Sequence, residues 1–476
     1  MKTLVKQAFL FVVIFYLFLS VTSNIRGQES PEVQQPEKLT GNWNGLRTSF
    51  VDKGICLDAL YTGEVISNLQ GGIRHGSSYL DVVDLMFAID FDPIAPWRGT
   101  SFYLDIFGIH GSDPCECVGD FQGVSNIAAQ NTWKIYEAWT QQNLLNEKLS
   151  ILCGIYDLNS EFDVLETAGL FLNSSFGMGA EFAQSGKNGP STFPFTGVAL
   201  RMKTQFSEHF CFQSAILDGV PDEPENAWGA KYDINKDDGA LITSEIIFIT
   251  DKERVGSFPW HSKRKRIHHQ RRGFSEFKEF FHRSNDSKKQ NQKSNFRHKK
   301  PRRLQGKMPK QTYSKLAIGG WYYTSDFAHF DSSNLLQYQG SWGIYGLWEK
   351  SVFFDNENPQ PGLSYFFRFG ISDKNVNQVD KYIGGGIVHS GIFPLLLNDQ
   401  MGVAIAAAHY SDKFKQAILK DGEKLDSWEI AIELSYRAEI NGWFSLQPDL
   451  QYIINPGFNS VLKNSVTFGL RTEICF

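Results

Sequence analysis

The sequence predicts an all-β chain, a transmembrane antiparallel β-barrel of about sixteen strands with short periplasmic turns and long extracellular loops. Three observations lead there: an apolar leader, segments in which apolar and polar residues alternate, and connections that alternate between short and long. A strand turns successive side chains to opposite faces, so alternation gives each segment one oily and one polar side. In a membrane barrel the oily side meets lipid and the polar side a water-filled lumen. A soluble sandwich would bury the oily side instead. The leader, the strand length and the strand count favour the membrane form.

The leader comes first along the chain. Lys2 and Lys6 precede twelve apolar residues, Ala8 to Leu19, and Val21 and Ser23 fit a small-residue cleavage pattern. Residues 1–23 thus read as a signal peptide cleaved between 23 and 27. The run is shorter than the roughly 20 residues of a spanning helix, and no later run reaches that length. A mean hydropathy of −0.29 excludes a helical membrane protein. A charged fraction of 21% beside 14% aromatics excludes global disorder.

Residues 28–54 follow as a periplasmic N-terminal segment. Trp43, Leu46 and Phe50 fall at i, i+3 and i+7, the stripe of one short amphipathic helix. A helix packed on the periplasmic rim is favoured over a plug in the mouth.

Strands are then expected near 55–67, 80–92, 100–108, 133–142, 149–156, 196–205, 209–218 and 240–250 in a first half, residues 55–251. A second half, 316–476, supplies strands near 315–324, 341–350, 364–371, 381–393, 401–410, 428–440, 443–453 and 466–476. In one of them Val83, Leu85, Phe87 and Ile89 oppose Asp84 and Asp90; in another Ile430, Ile432 and Leu434 oppose Glu429, Glu433 and Arg437. Connections such as 143–148 and 441–442 are short, while 109–132, 157–195, 219–239 and 411–427 are long. Short turns on one rim and long loops on the other are the layout of an outer-membrane barrel. Phe476, ending an amphipathic strand, reads as an assembly signal for the outer-membrane machinery.

Several long blocks resemble the carbohydrate-selective porin family. They are Leu39-Thr-Gly-Asn-Trp-Asn-Gly-Leu-Arg47, Asp52-Lys-Gly-Ile55 and Tyr61-Thr-Gly-Glu64 near the start. Gly119-Asp-Phe-Gln-Gly-Val-Ser-Asn-Ile127, Ala168-Gly-Leu-Phe-Leu-Asn-Ser-Ser-Phe-Gly177 and Leu446-Gln-Pro-Asp-Leu-Gln-Tyr-Ile-Ile-Asn-Pro-Gly457 follow. The resemblance implies a sixteen-stranded outer-membrane barrel that admits sugars by facilitated diffusion, often as a monomer.

A sugar path needs aromatic rings to stack on apolar ring faces and polar groups to bond hydroxyls. Glu137 and Trp139 share one face of the segment 133–142, with Trp133 on the same parity. Arg201 and Lys203 share a face of 197–205. Asp120, Gln122 and Asn126 lie in the loop 109–132, and Glu161 and Asn173 in the loop 157–195. Loops this long commonly fold inward and narrow a lumen. Arg74, in Gly71-Gly-Ile-Arg74, is a candidate for the pore mouth or a plain surface residue.

Other chemistry is unsupported. Cys115 and Cys117 have no nearby histidine to complete a zinc site; they are unpaired or form a loop-stapling or inter-chain disulfide. Cys56, Cys153, Cys211 and Cys475 fall within strands as small wall residues. The glycine-rich stretches are too short for phosphate loops. No catalytic constellation, cofactor or metal is expected, so the chain does not read as an enzyme.

The strongest departure from the family is residues 252–315, with 21 Lys/Arg against four acids, a balance of +17. Outside it and residues 1–27 the chain carries −25 in all. Few apolar residues interrupt the basic run, so disorder is the expectation. Strand counting places this insertion in the periplasm, either as a tolerated solvated insertion or as a binder of acidic polymers or lipid headgroups, and export argues against nucleic acid as partner. The leading function is a sugar-admitting outer-membrane porin. A general or cation-preferring porin, and a structural barrel whose insertion grips the cell wall, stay open.

Overall fold

The computed structural model describes residues 38–94, 96–221, 237–250, 312–330, 337–353, 361–393, 399–419 and 425–476. Its strands are β1 (Ile55–Gly72), β2 (Gly76–Asp90), β3 (Thr100–Gly111), β4 (Thr132–Leu144), β5 (Leu149–Tyr156), β6 (Gly197–Gln205), β7 (Phe210–Asp218) and β8 (Ala240–Ile249). The series continues with β9 (Thr312–Ala328), β10 (Gln337–Phe353), β11 (Pro361–Ser372), β12 (Val379–Ser390), β13 (Gln400–Tyr410), β14 (Trp428–Asn441), β15 (Phe444–Ile454) and β16 (Lys463–Cys475). Each pairs antiparallel with its sequence neighbours, and β1 pairs with β16, for example Glu64 opposite Arg471, to close the barrel. Closure leaves no unpaired edge, which a hydrocarbon layer would not tolerate. Every expected strand is present, most of them longer than the alternating core that announces it.

The oily faces point outward. In β2, Leu85 is 43% exposed while Asp84 and Met86 are buried; in β14, Ile432 faces out and Glu433 is fully buried. Ile246, Ile318, Ile344, Phe369 and Val403 continue the exposed apolar band on other strands. A band of this kind is stable against lipid and would aggregate in water.

Connections 112–131, 157–196, 219–239 and 411–427 all leave one rim, and the other rim carries 91–99, 145–148, 206–209, 391–399 and 442–443. β8 ends and β9 begins on the short-turn rim, so the basic insertion joins the barrel there. Residues 251–311 lie outside the described residues, as do the leader 1–23 and its cleavage region. β9 starts at Thr312, four residues before the expected boundary at 316, so Lys315 is a buried wall residue and not part of the insertion.

The N-terminal helix α1 (Leu46–Asp52) sits against β1 on the short-turn rim, not in the lumen. Leu39 N donates to Cys475 O at 2.9 Å and an Arg47 terminal nitrogen to Phe476 O at 3.0 Å, which ties it to the β1–β16 seam. The expected apolar stripe is not buried by this docking. Leu46 is 58% exposed, and Trp43 packs under the Arg47 guanidinium, 4.3 Å from its ring centre. Main-chain and cationic contacts, more than apolar burial, hold the helix.

One parity expectation fails. Asp105 pairs with Glu137 but Ile106 pairs with Ile135, so Tyr136 is an extra residue in β4. Such a β-bulge switches which face the following residues occupy. Lys134 and Tyr136 face in before it, Glu137 and Trp139 after it, and Trp133 points outward, donating to His110 Nε2 at 3.0 Å.

Candidate functional site

The loops 112–131 and 157–196 fold into the barrel. They carry short helices α2 (Cys115–Val118) and α3 (Ala180–Ala183) and several 3₁₀ turns, separated by glycines. Side chains facing the lumen along the wall are accordingly buried: Glu64, Glu245, Glu349, Glu429, Arg201 and Arg368 are all at most 1% exposed. A loop crossing a lumen has no ladder to satisfy its peptide groups, so the wall must supply partners.

It does so residue by residue. Glu429 accepts from Phe121 N and Gln122 N, each at 2.8 Å, and from Gly457 N at 2.5 Å. Glu433 accepts from Leu172 N at 2.6 Å and Asn173 N at 3.0 Å. Glu349 takes Thr167 N and Glu245 takes Asp163 N. Loop carbonyls are met by Lys315 at Val164, Gln447 at Leu170, Gln451 at Val124, and Arg368 at Ser175 and Phe176.

Glu137, Trp139, Glu161, Arg201 and Lys203 come together on β4, β6 and the loop that follows β5. Arg201 donates through Nε to Glu161 Oε2 at 2.8 Å and through its terminal nitrogens to Ser150 Oγ and Gln141 Oε1. Lys203 approaches the other Glu161 oxygen at 3.3 Å. Glu137 accepts from Trp139 Nε1 at 3.0 Å and Asp157 N at 3.3 Å. The Trp139 ring is 3% exposed and packs on Tyr103 with centroids 5.2 Å apart. It therefore supports Glu137 from behind.

The other candidates lie across the lumen or on the rim. Gln122 is bound to Glu429, and Asn126 Oδ1 accepts from Arg471 at 2.5 Å, while Arg471 also pairs with Glu64. Asn173 Nδ2 donates to Gln451. Asp120 is buried in its loop, which pushes its carboxyl above the usual range. Arg74 stays exposed on the long-loop rim, 3.5 Å from Glu116.

Sequence reasoning missed the ion pair of Arg368 with Asp163 at 2.5 Å, and Glu181 beside it. Glu181 is 2% exposed, and burial, then the charge of Asp163, pushes its carboxyl up to about 8. The only local signal was Arg368, the one charged residue of β11, on its inward parity. Cys115, Cys117, Cys153 and Cys211 are free thiols.

Beside the loops remains a cavity of about 550 Å³. Phe121, Tyr136, Phe171, Phe193 and Phe195 offer rings to it, and Glu137, Asp157, Asn159, Lys187 and Asn188 offer polar groups. That volume lies within the usual range for small-molecule sites.

Comparison with known proteins places this geometry. A family model described as carbohydrate-selective porin, OprB family, matches residues 74–476. Porin B of Pseudomonas aeruginosa is 24% identical over 468 residues, covering 92% of this chain and 91% of its own length. The high-pH structure of Pseudomonas putida OprB superimposes with a TM-score of 0.73 at 20% identity, covering 94% of this chain and 100% of that one. The low-pH structure of the same protein gives 0.52 at 17% identity, covering 93% and 100%.

Proposed function

Because the chain belongs to the carbohydrate-selective porin, OprB family, we propose that sugars cross it through the cavity beside the two in-folded loops. The chain is an outer-membrane porin for passive, carbohydrate-selective diffusion, a channel and not an enzyme. Within that function, the cavity carries the finer reading, because it sets several aromatic rings and several hydrogen-bonding groups around one space on the extracellular side. Stacking and hydrogen bonding in a wet pore are each worth about 1 kcal/mol net. Weak contacts suit a channel, since a tightly held solute would not leave.

Glu137 is the proposed hydroxyl acceptor, held by Trp139 and Asp157 N. Glu161, Arg201 and Lys203 hold the loop that forms the cavity wall. Arg74, Asp120, Gln122 and Asn126 act at the entrance or through the loop 112–131. Liposome swelling with neutral sugars, amino acids and salts tests the reading. Native protein should admit sugars in preference, and Glu137→Gln should weaken sugar block of ion current several-fold. Equal block in a correctly assembled Glu137→Gln variant would remove the cavity from the path.

A tethering role for residues 252–311 is favoured by one observation, the join of a strongly basic segment to the periplasmic rim. Deleting 256–306 should leave conductance intact and abolish retention on isolated cell-wall sacculi; retention by the deleted protein would end the reading. Phe476 and its strand are the proposed contact with the assembly machinery.

A further inference from the structure

We propose that the wall carboxylates Glu245, Glu349, Glu429 and Glu433 are clamps that set the size limit of the sugar path by gripping loop backbone, and that they do not select solutes by charge. The proposal deepens the porin reading and rests on it. An acidic lumen ordinarily suggests cation preference, because rings of Asp and Glu line cation channels. In this lumen each of the four is at most 1% exposed and both loops hang on them.

The geometry is repeated. At Glu429 the two oxygens take the amides of successive residues, Phe121 and Gln122; at Glu433 they take those of Leu172 and Asn173. Two adjacent N–H groups thus meet one carboxylate, one on each oxygen. Here the loops supply the donors and the wall supplies the carboxyl acceptors. Glu349 completes its set with the Tyr313 hydroxyl, and Glu245 with the Tyr345 hydroxyl and the Gln213 amide. Every oxygen of the four carboxyls already accepts from an N–H or O–H donor.

Two consequences separate clamp from charge. A clamp depends on reach as well as sign, because charge-assisted hydrogen bonds weaken steeply beyond their short range. A selecting charge depends mainly on sign. Clamps also act on loop position, so their loss enlarges the space beside the loops without changing which ion is preferred.

The test uses the full-length protein with Glu433→Gln and Glu433→Asp, and the double variant Glu429→Gln/Glu433→Gln. Assembly is checked by heat-modifiable migration in detergent. Single-channel conductance, reversal potential in a KCl gradient, and liposome swelling by a graded series of neutral oligosaccharides are then measured. The clamp role predicts about a twofold or greater rise in conductance and entry of oligosaccharides that native protein excludes. It predicts this for Glu433→Asp as well, which keeps the carboxyl group and shortens the arm by one methylene. Reversal potential should stay at the native value. A native size limit in Glu433→Asp, with a shifted reversal potential only in the Gln variants, would overturn the proposal. If the Glu433 variants fail to assemble, Glu349→Gln carries the same prediction from another strand, and a native size limit there overturns it too. Loss of all sugar entry from assembled native protein would strike the porin reading itself, a distinct outcome.

Discussion

Replacing Arg201 by Met removes the hub of the β4–β6 cluster while keeping most of its apolar stem volume. Four bonds are lost at once: to Glu161 Oε2 at 2.8 Å, Ser150 Oγ at 2.8 Å, Ser150 O at 3.3 Å and Gln141 Oε1 at 2.9 Å. Removing one member of a buried ion pair costs about 3–5 kcal/mol, because the other charge stays buried. Glu161 retains the Tyr156 hydroxyl at 2.7 Å and Lys203 at 3.3 Å, so the cost belongs at the low end, about 3 kcal/mol. A double-mutant cycle with Glu161→Gln isolates the pair, and the expected coupling is about 2 kcal/mol. The assay is equilibrium urea unfolding in lipid vesicles, followed by tryptophan fluorescence. Because Glu161 also fixes the loop that starts after β5, conductance of the assembled Arg201→Met protein should rise. A coupling below about 0.5 kcal/mol, the usual additivity error, would refute the argument that this pair anchors the loop.

Leu434 faces lipid beside inward Glu433, so Leu434→Arg should cost about 2–4 kcal/mol near the bilayer midplane in the same vesicle titration; a neutral result would mean that the parity of β14 is misassigned. Trp139→Ala removes the indole donor to Glu137 and the packing on Tyr103. Sugar block should weaken several-fold through a less ordered Glu137, and Trp139→Phe should restore the packing only; identical block in all three proteins would leave Trp139 a plain wall residue. Glu181, held protonated by burial up to about pH 8, should make the loop 157–196 progressively less stable as pH rises from the ordinary carboxylate range to about 8, with no further change above that. Limited proteolysis of that loop from pH 5 to 9 reads this out, and Glu181→Gln should flatten the profile; an unchanged slope would assign the titration elsewhere.

Strand identity, strand number and the direction of each face were legible in the chain, because alternation with period two is a property of neighbouring residues. Leu85 against Asp84 and Ile432 against Glu433 show it in any ten-residue window, and a closed antiparallel barrel follows once an even number of such strands must have no edge. Where local pattern broke, the reading broke with it. Tyr136 adds one residue to β4, and nothing within Trp133–Gln142 announces that its partner strand stays regular. Trp133 and Trp139 therefore share a parity in the sequence and opposite faces in the barrel. The fate of the lumen charges lay further out of reach. Glu433 and Leu172 are 261 residues apart, and Glu429 and Gln122 are 307 apart. On a single strand a glutamate that lines open water and one that holds a peptide N–H look alike, since the difference is made by which loop arrives opposite it. Only the closed barrel brings the loops 112–131 and 157–196 against β8, β10 and β14, and burial of their peptide groups decides which carboxylates become acceptors and which space is left for a solute.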